Sequence, residues 1–219
     1  LITREIVRAR IQEIGIIPAI RVSSAEDALF VAEAILSGGI PIVELTMTVP
    51  GAVECISHLV RNRPELIVGA GTVLDADTAR RCRDAGVHFL TSTGLDLSVV
   101  EFAIKENLAV LPGALTPSEV MAAWKAGADL IKIFPCSQVG GVSYIRALKA
   151  PFPHVPLIAS GGVDQQTAAG FILAGAAALG IGAELTPPRA IQLRQPHRIR
   201  ELAYRFMQMV RAARSQKER

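Results

Sequence analysis

Short apolar runs alternate along this chain with longer stretches in which apolar residues recur three and four positions apart. The runs fall at Ile16–Arg21, Pro41–Thr46, Leu66–Ala70, His88–Ser92, Ala109–Pro112, Leu130–Phe134, Leu157–Ser160 and Ala177–Ile181. Brief, apolar on both faces and bounded by turn residues, they read as fully buried strands. The stretch Ser24–Leu36 shows the other period, with Ala28, Val31, Ala32 and Ile35 on one helical face. Helix ends carry a repeated signal: Ser37-Gly38-Gly39, Asp84-Ala85-Gly86, Lys125-Ala126-Gly127 and Leu173-Ala174-Gly175. Glycine just past a helix takes the left-handed conformation that turns the chain into the next strand. Helix starts are expected at Ser23 or Ser24, Asp75, Asp96, Thr116 and Asp164, and Thr116-Pro117-Ser118-Glu119 spells a capping box with proline at its first position.

Eight strand–helix units with short connections predict an α/β fold, a closed (β/α)8 TIM barrel, with an extra N-terminal helix over about Thr3–Gly15. The length of 219 residues suits one barrel domain spanning residues 1–219. An open doubly wound sheet would require a glycine-rich phosphate loop after the first strand, and Arg21-Val22-Ser23-Ser24 has none.

Half the residues are apolar and 20% are charged, so a large core is available. The net charge of +3 gathers toward the end, at Arg194, Arg198, Arg200, Arg205, Arg211, Arg214 and Arg219. With few aromatics and no nucleic-acid motif, this reads as a solvated C-terminal helix rather than a nucleic-acid surface. Cys55, Cys82 and Cys136 are odd in number and widely spaced, and the four histidines show no zinc-ligand spacing. No apolar run reaches the ~18 residues of a membrane span, and the first residues do not read as a signal peptide. Reduced thiols in a cytoplasmic protein are expected, with no nucleic-acid or membrane partner.

Against this background one residue stands out. Of five lysines, only Lys132 falls in a buried-strand pattern, Leu130-Ile131-Lys132-Ile133-Phe134. Desolvation disfavours a charged amine, and the neutral amine is a nucleophile suited to a Schiff base with a carbonyl substrate. A structural ion pair is the bland alternative. In a barrel the reactive site lies at the C-terminal strand ends. There, period-two alternation places Glu44, Thr46 and Thr48 on one face and Val43, Leu45 and Met47 on the other. The polar face is expected inside, which offers Glu44 as partner to Lys132. Gly69-Ala70-Gly71-Thr72 ends the third strand with room for a ligand, while Gly161-Gly162 and Gly180-Ile181-Gly182 follow the seventh and eighth, the usual phosphate site of this architecture.

In this order, Val43-Glu44-Leu45-Thr46, Gly69-Ala70-Gly71-Thr72-Val73-Leu74, Leu111-Pro112-Gly113, Ile131-Lys132-Ile133-Phe134-Pro135 and Gly161-Gly162-Val163 resemble the family of 2-keto-3-deoxy-6-phosphogluconate (KDPG) and 4-hydroxy-2-oxoglutarate (KHG) aldolases. The resemblance implies a metal-free class I aldolase without a cofactor, usually homotrimeric, acting on a 2-keto acid. It places the Schiff-base lysine at Lys132, the acid/base glutamate at Glu44 and the pyruvate-carboxylate contact at Thr72. Gly161, Gly162 and Gly182 become phosphate contacts, and Thr93, Pro112 and Phe134 join the substrate contacts.

Three positions depart from the family pattern. Thr48 stands where many members carry a carboxylate-clamping arginine; Arg21 can supply the guanidinium, unless it is tied in a surface pair with Glu26 or Asp27. Ser92-Thr93-Gly94 replaces Ser-Pro-Gly. Ala183, followed by Glu184, replaces a phosphate-contacting serine: either backbone N–H groups still hold the phosphate of KDPG while Glu184 points to solvent, or the substrate depends less on a terminal phosphate, as KHG or an unphosphorylated sugar acid would. A barrel isomerase or epimerase of sugar phosphates is the rival enzyme class, and a non-catalytic assembly subunit is the rival outside enzymes. Cys136, without a histidine partner in sequence, is not expected to be a nucleophile; His58, His88 and Trp124 read as structural.

Overall fold

The computed structural model describes residues 2–217; Leu1, Glu218 and Arg219 lie outside the described residues. Helix α1 (Arg4–Ile14) leads into β1 (Ile16–Ile20), α2 (Ala25–Ser37), β2 (Ile42–Thr46), α3 (Ala52–Asn62), β3 (Ile67–Gly71), α4 (Ala76–Asp84) and β4 (Phe89–Thr91). Then come α5 (Leu97–Lys105), β5 (Ala109–Leu111), β6 (Gly113–Ala114), α6 (Pro117–Lys125), β7 (Ile131–Ile133) and α7 (Gly141–Lys149). The chain ends with β8 (Leu157–Ser160), α8 (Ala168–Leu173), β9 (Ala178–Ile181), α9 (Pro188–Gln192) and α10 (Pro196–Lys217).

The strands form one parallel sheet in the order β5-β4-β3-β2-β1-β9-β8-β7-β6, a nine-stranded, nearly closed barrel. Its two ends, β5 and β6, are separated by Pro112 alone. Proline cannot donate to a ladder, which is why the run expected through Pro112 stops at Leu111. The chain then changes partners: β5 pairs with β4, whereas Gly113 lies opposite Lys132 of β7. The other strands fall where the hydrophobic pattern predicts them, with ends shifted by a residue or two.

Register across the barrel fixes what faces its interior. Ala19, Glu44, Gly69 and Phe89 lie side by side on β1 to β4. The Phe89 ring occupies the space that Gly69 leaves, since a Cβ on Gly69 would lie 2.1 Å from it. Phe89 thus plugs the barrel at the level of Glu44, and its alternating neighbour Thr91 also faces inward. Outside, Val43 and Leu45 are fully buried under the helices, so β2 is covered on both faces, as in other parallel sheets.

The caps follow the sequence with one exception. Ser24, Asp75 and Asp96 accept hydrogen bonds at their helix starts, and Thr116 and Glu119 form the expected capping box. Gly39, Gly86, Gly127 and Gly175 take positive φ after their helices. Asp164 does not cap α8, which starts at Ala168 behind Thr167. Its carboxylate instead closes the preceding turn, accepting from Gln166 N–H and from the N–H and hydroxyl of Thr167.

The C-terminal helix is more than a solvated segment. Ile199, Leu202, Ala203, Phe206, Met207, Val210 and Ala213 of α10 are buried against α8 and α2, and only the opposite face carries exposed arginines. Arg214 belongs to neither group: it donates to the carbonyls of Gln12, Glu13 and Ala177. Helix α1, with Val7 and Ile11 buried, touches β5 and β9 at the N-terminal end of the barrel. At its start, Arg4 reaches the buried carboxylate of Asp129 at 2.8 Å, and Asp129 also accepts from Val110 N–H at 2.8 Å.

Candidate active site

A cavity of about 740 Å3 opens at the C-terminal strand ends. Lys132 reaches it because strand alternation turns its side chain inward between Gly113 and Ile158. Its backbone N–H is held by the carbonyl of Pro112 at 2.9 Å. Lys132 Nζ lies 3.5 Å from Glu44 Oε1, and both residues are buried, at 6% and 3% exposure. That distance is an ion pair but longer than the 2.7–2.9 Å of a good charge-assisted hydrogen bond. The Phe134 ring, two residues on, stands with its centroid 5.9 Å from Nζ.

Room for the carboxylate is created by Gly71. A Cβ there would sit 2.0 Å from Glu44 Oε1, so any side chain at this position displaces Glu44. A similar accommodation occurs across the barrel, where a Cβ on Gly180 would lie 2.6 Å from Ser160 Oγ. Immediately after β3, Thr72 takes φ 59°. The left-handed region is uncommon for a β-branched residue, and such strain concentrates at functional sites. Arg21 Nη2 lies 3.4 Å from Thr72 Oγ1, and both line the cavity. The surface pair considered for Arg21 is made by another residue, as Arg194 binds Glu26 and Asp27.

After β8 and β9 the cavity is lined by Gly161, Gly162, Gly182 and Ala183. Gly161 and Gly162 have φ of 87° and 81°, a backbone that residues with side chains rarely adopt. Thr93 also lines the wall. Two carboxylates follow these turns in the lining: Asp164, read from sequence only as a helix cap, and the exposed Glu184. The hydroxyl and N–H of Thr167 hold the Asp164 carboxyl below the usual carboxylate range, so it is charged at neutral pH. The lining cations, Arg21 and Lys132, come from the end of β1 and from β7, the strands that flank β9 and β8. Thr186, another lining residue unmarked by its sequence context, spends its hydroxyl on Gly182 O at 3.2 Å.

Two expected contacts do not line the cavity. Thr48 lies beyond the end of β2 and is exposed, sharing a 2.8 Å hydrogen bond with Thr46 Oγ1. Pro112 is buried in the strand break and acts through its carbonyl on the Lys132 backbone. Three of the groups expected to be bland have structural surroundings. Burial pushes the Cys136 thiol up to about 11, which keeps it protonated and unreactive. His88 Nδ1 accepts from Val68 N–H at 3.0 Å, and Trp124 packs edge-on against His154.

A parallel barrel whose C-terminal mouth opens over a buried lysine–glutamate pair has the form of an α/β-barrel enzyme. Residues 7–202 match the family model described as KDPG and KHG aldolase. The chain is 32% identical over 161 residues to the 2-dehydro-3-deoxy-phosphogluconate aldolase of Pseudomonas aeruginosa, covering 74% of this chain and 73% of that one. With the KHG/KDPG aldolase of Escherichia coli it shares 31% identity over 188 residues, 86% of this chain and 88% of the other. Among solved structures, the KDPG aldolase of Legionella pneumophila, with pyruvate captured at low pH as a covalent carbinolamine intermediate, gives a TM-score of 0.83 at 29% identity. That match covers 90% of this chain and 96% of the other. The chain belongs to the KDPG/KHG aldolase family and is an aldolase, a carbon–carbon lyase.

Proposed function

We propose that the protein is a Schiff-base aldolase that cleaves a 2-keto-3-deoxy-4-hydroxy acid to pyruvate and an aldehyde. The observation that carries this reading is the buried Lys132–Glu44 pair inside the mouth of the barrel. Lys132 passes a proton to Glu44 and its amine attacks the C2 ketone; after proton transfer within the carbinolamine, Glu44 returns its proton to the carbinolamine hydroxyl, which leaves as water and gives an iminium. Glu44 takes the proton of the C4 hydroxyl, the C3–C4 bond breaks, and its electron pair is received by the iminium to give an enamine. After the aldehyde departs, the enamine takes a proton at C3 and water releases pyruvate.

Arg21 and Thr72 are the groups suited to the substrate carboxylate, a pairing supported by their contact and by guanidinium geometry. The wall beside them is assigned to Thr93 and Phe134. The fold supports the same reading: taking β5 and β6 as one strand interrupted at Pro112 gives a (β/α)8 barrel with α1 added in front, one domain over residues 1–219. A homotrimer in the cytoplasm is the assembly and location proposed with it, the trimer being checked by sedimentation.

Borohydride trapping tests the chemistry. Reduction in the presence of pyruvate is expected to inactivate the enzyme and add the mass of a reduced pyruvate adduct at Lys132. No adduct would favour a barrel isomerase instead.

For the substrate, KDPG, which yields glyceraldehyde 3-phosphate, is the first reading, with Gly161, Gly162 and Gly182 approaching the phosphate through their backbone. A second reading, an unphosphorylated acid such as KHG or a 2-keto-3-deoxy sugar acid, is favoured by a specific observation. The cavity lining after β8 and β9 offers Ala183 in place of a hydroxyl and the carboxylates of Asp164 and Glu184, which oppose a phosphate. Comparing kcat/KM for KDPG and KHG separates them: values within about a hundredfold of each other, roughly 3 kcal/mol, support the second reading, and a preference of about a thousandfold or more for KDPG ends it.

A further inference from the structure

Resting on the lysine chemistry proposed above, we infer that Thr91 is a positioning residue for Glu44. Its hydroxyl holds the carboxylate in its proton-transferring orientation once Lys132 has been taken into a covalent bond. Among the described residues, two buried side-chain polar atoms have no hydrogen-bond partner, Glu44 Oε1 and Thr91 Oγ1. They belong to the same place. Glu44 lays its carboxylate over Gly71, where a Cβ would be 2.0 Å from Oε1. Thr91 comes up on the other side of that glycine, because Gly69 and Ala70 of β3 lie opposite Phe89 and Leu90 of β4. Phe89 points into the barrel against Gly69, so Thr91, two residues on, points inward as well. Neighbouring strands are ~4.8 Å apart. A carboxylate and a hydroxyl therefore face each other across a single missing side chain, in reach after a rotation of the hydroxyl or through one bridging water.

Two other inward hydroxyls of this region have structural work. Thr46 donates to Ile20 O at 3.1 Å and Thr186 to Gly182 O at 3.2 Å. Thr91 has no such duty, although it is only 2% exposed. A valine of the same shape would pack there without burying an unpaired hydroxyl, so its oxygen has no role in stability to explain it. In the free protein Glu44 Oε1 faces the ammonium of Lys132 at 3.5 Å. When that nitrogen becomes an iminium bonded to C2 of the substrate, it no longer offers the carboxylate a full ammonium. A buried carboxylate left without a donor swings or is neutralised, and Thr91 supplies the donor from the far side of Gly71.

Pyruvate alone tests this, whatever aldehyde the enzyme uses. In the Lys132 iminium of pyruvate, Glu44 accepts a proton from C3; the C–H pair forms C2=C3, and the iminium nitrogen takes the C=N pair. Return of a deuteron from heavy water exchanges the methyl hydrogens, which NMR follows. Thr91→Val is expected to keep the borohydride adduct yield, KM for pyruvate and thermal midpoint, or to raise the midpoint, while exchange slows about ten- to a hundredfold, the worth of one hydrogen bond to a charged group. The pH profile of exchange should shift as well, and Thr91→Ser should restore rate and profile to within about threefold. An adduct with undiminished exchange and an unchanged profile in Thr91→Val overturns the inference alone. Absence of any adduct in the wild-type protein overturns the lysine chemistry and this inference with it.

Discussion

At the scale of single residues the site is built by subtraction as much as by placing functional groups. Glu44 can lie beside Lys132 because Gly71 has no side chain. Gly71→Ala is expected to push the carboxylate out of line and to lower kcat by about a hundredfold or more, in the range lost when a general acid/base is misplaced. Measured turnover with folding verified by circular dichroism checks this; wild-type turnover in the alanine variant would mean that Glu44 has freedom the packing denies it. The residues of the pair were legible from the chain, Lys132 as the one lysine in a strand pattern and Glu44 by alternation. Asp164 was not: an aspartate before a helical pattern reads as a cap, and only the curvature of the barrel turns it toward the cavity.

Among elements, the least expected economy concerns α1. The pattern predicts this helix but not what it is for. It is pinned at its start by the Arg4–Asp129 pair and at its end by Arg214 from α10, which binds the carbonyls of Gln12 and Glu13. Asp129 also holds the N–H of Val110 on β5, so one buried carboxylate ties α1 to the strand where the barrel breaks. Asp129→Ala leaves the Val110 N–H without its acceptor and the Arg4 guanidinium with only the Gly127 carbonyl. Such a loss costs about 3 kcal/mol, to be read as a lowered urea midpoint at unchanged slope. A change under about 0.5 kcal/mol would assign Asp129 no more than a surface pair. The same packing explains α10. Its arginines dominate the linear sequence, yet the apolar stripe from Ile199 to Ala213 decides where it sits, because burial of that face outweighs the hydration of the charges.

For the whole molecule, burial also sets the response to acid. Desolvation lowers the pKa of His88 from its ordinary 6.5, and Nδ1 accepts from Val68 N–H, which it can do only while unprotonated. Between the folded and the ordinary value the unfolded chain binds the proton and the native state does not, so stability is full above about 6.5 and falls as pH drops toward the folded value. The carboxylates of Asp75, Asp96, Glu119 and Asp164 have lowered pKa values and act at lower pH still. Urea unfolding at pH 8 and at pH 5.5 is expected to give a lower stability at the acid end, and His88→Gln to flatten the difference. An equal slope in both proteins would show that another group controls it.

The sequence by itself determined the order of elements, all but one of the expected caps, and the Lys132–Glu44 pair on which the proposed chemistry rests. All of these rest on local rules: strand alternation, helical period and the chemistry of one lysine among apolar neighbours. Only the tertiary structure decided which strand ends face one another. Closure at Pro112 brings Lys132 of β7 to Glu44 of β2, frees Arg21 for Thr72 by giving Glu26 and Asp27 to Arg194, and leaves Thr48 outside. These outcomes depend on register and on the volume each neighbour vacates, and both are properties of the packed barrel rather than of any segment of the chain.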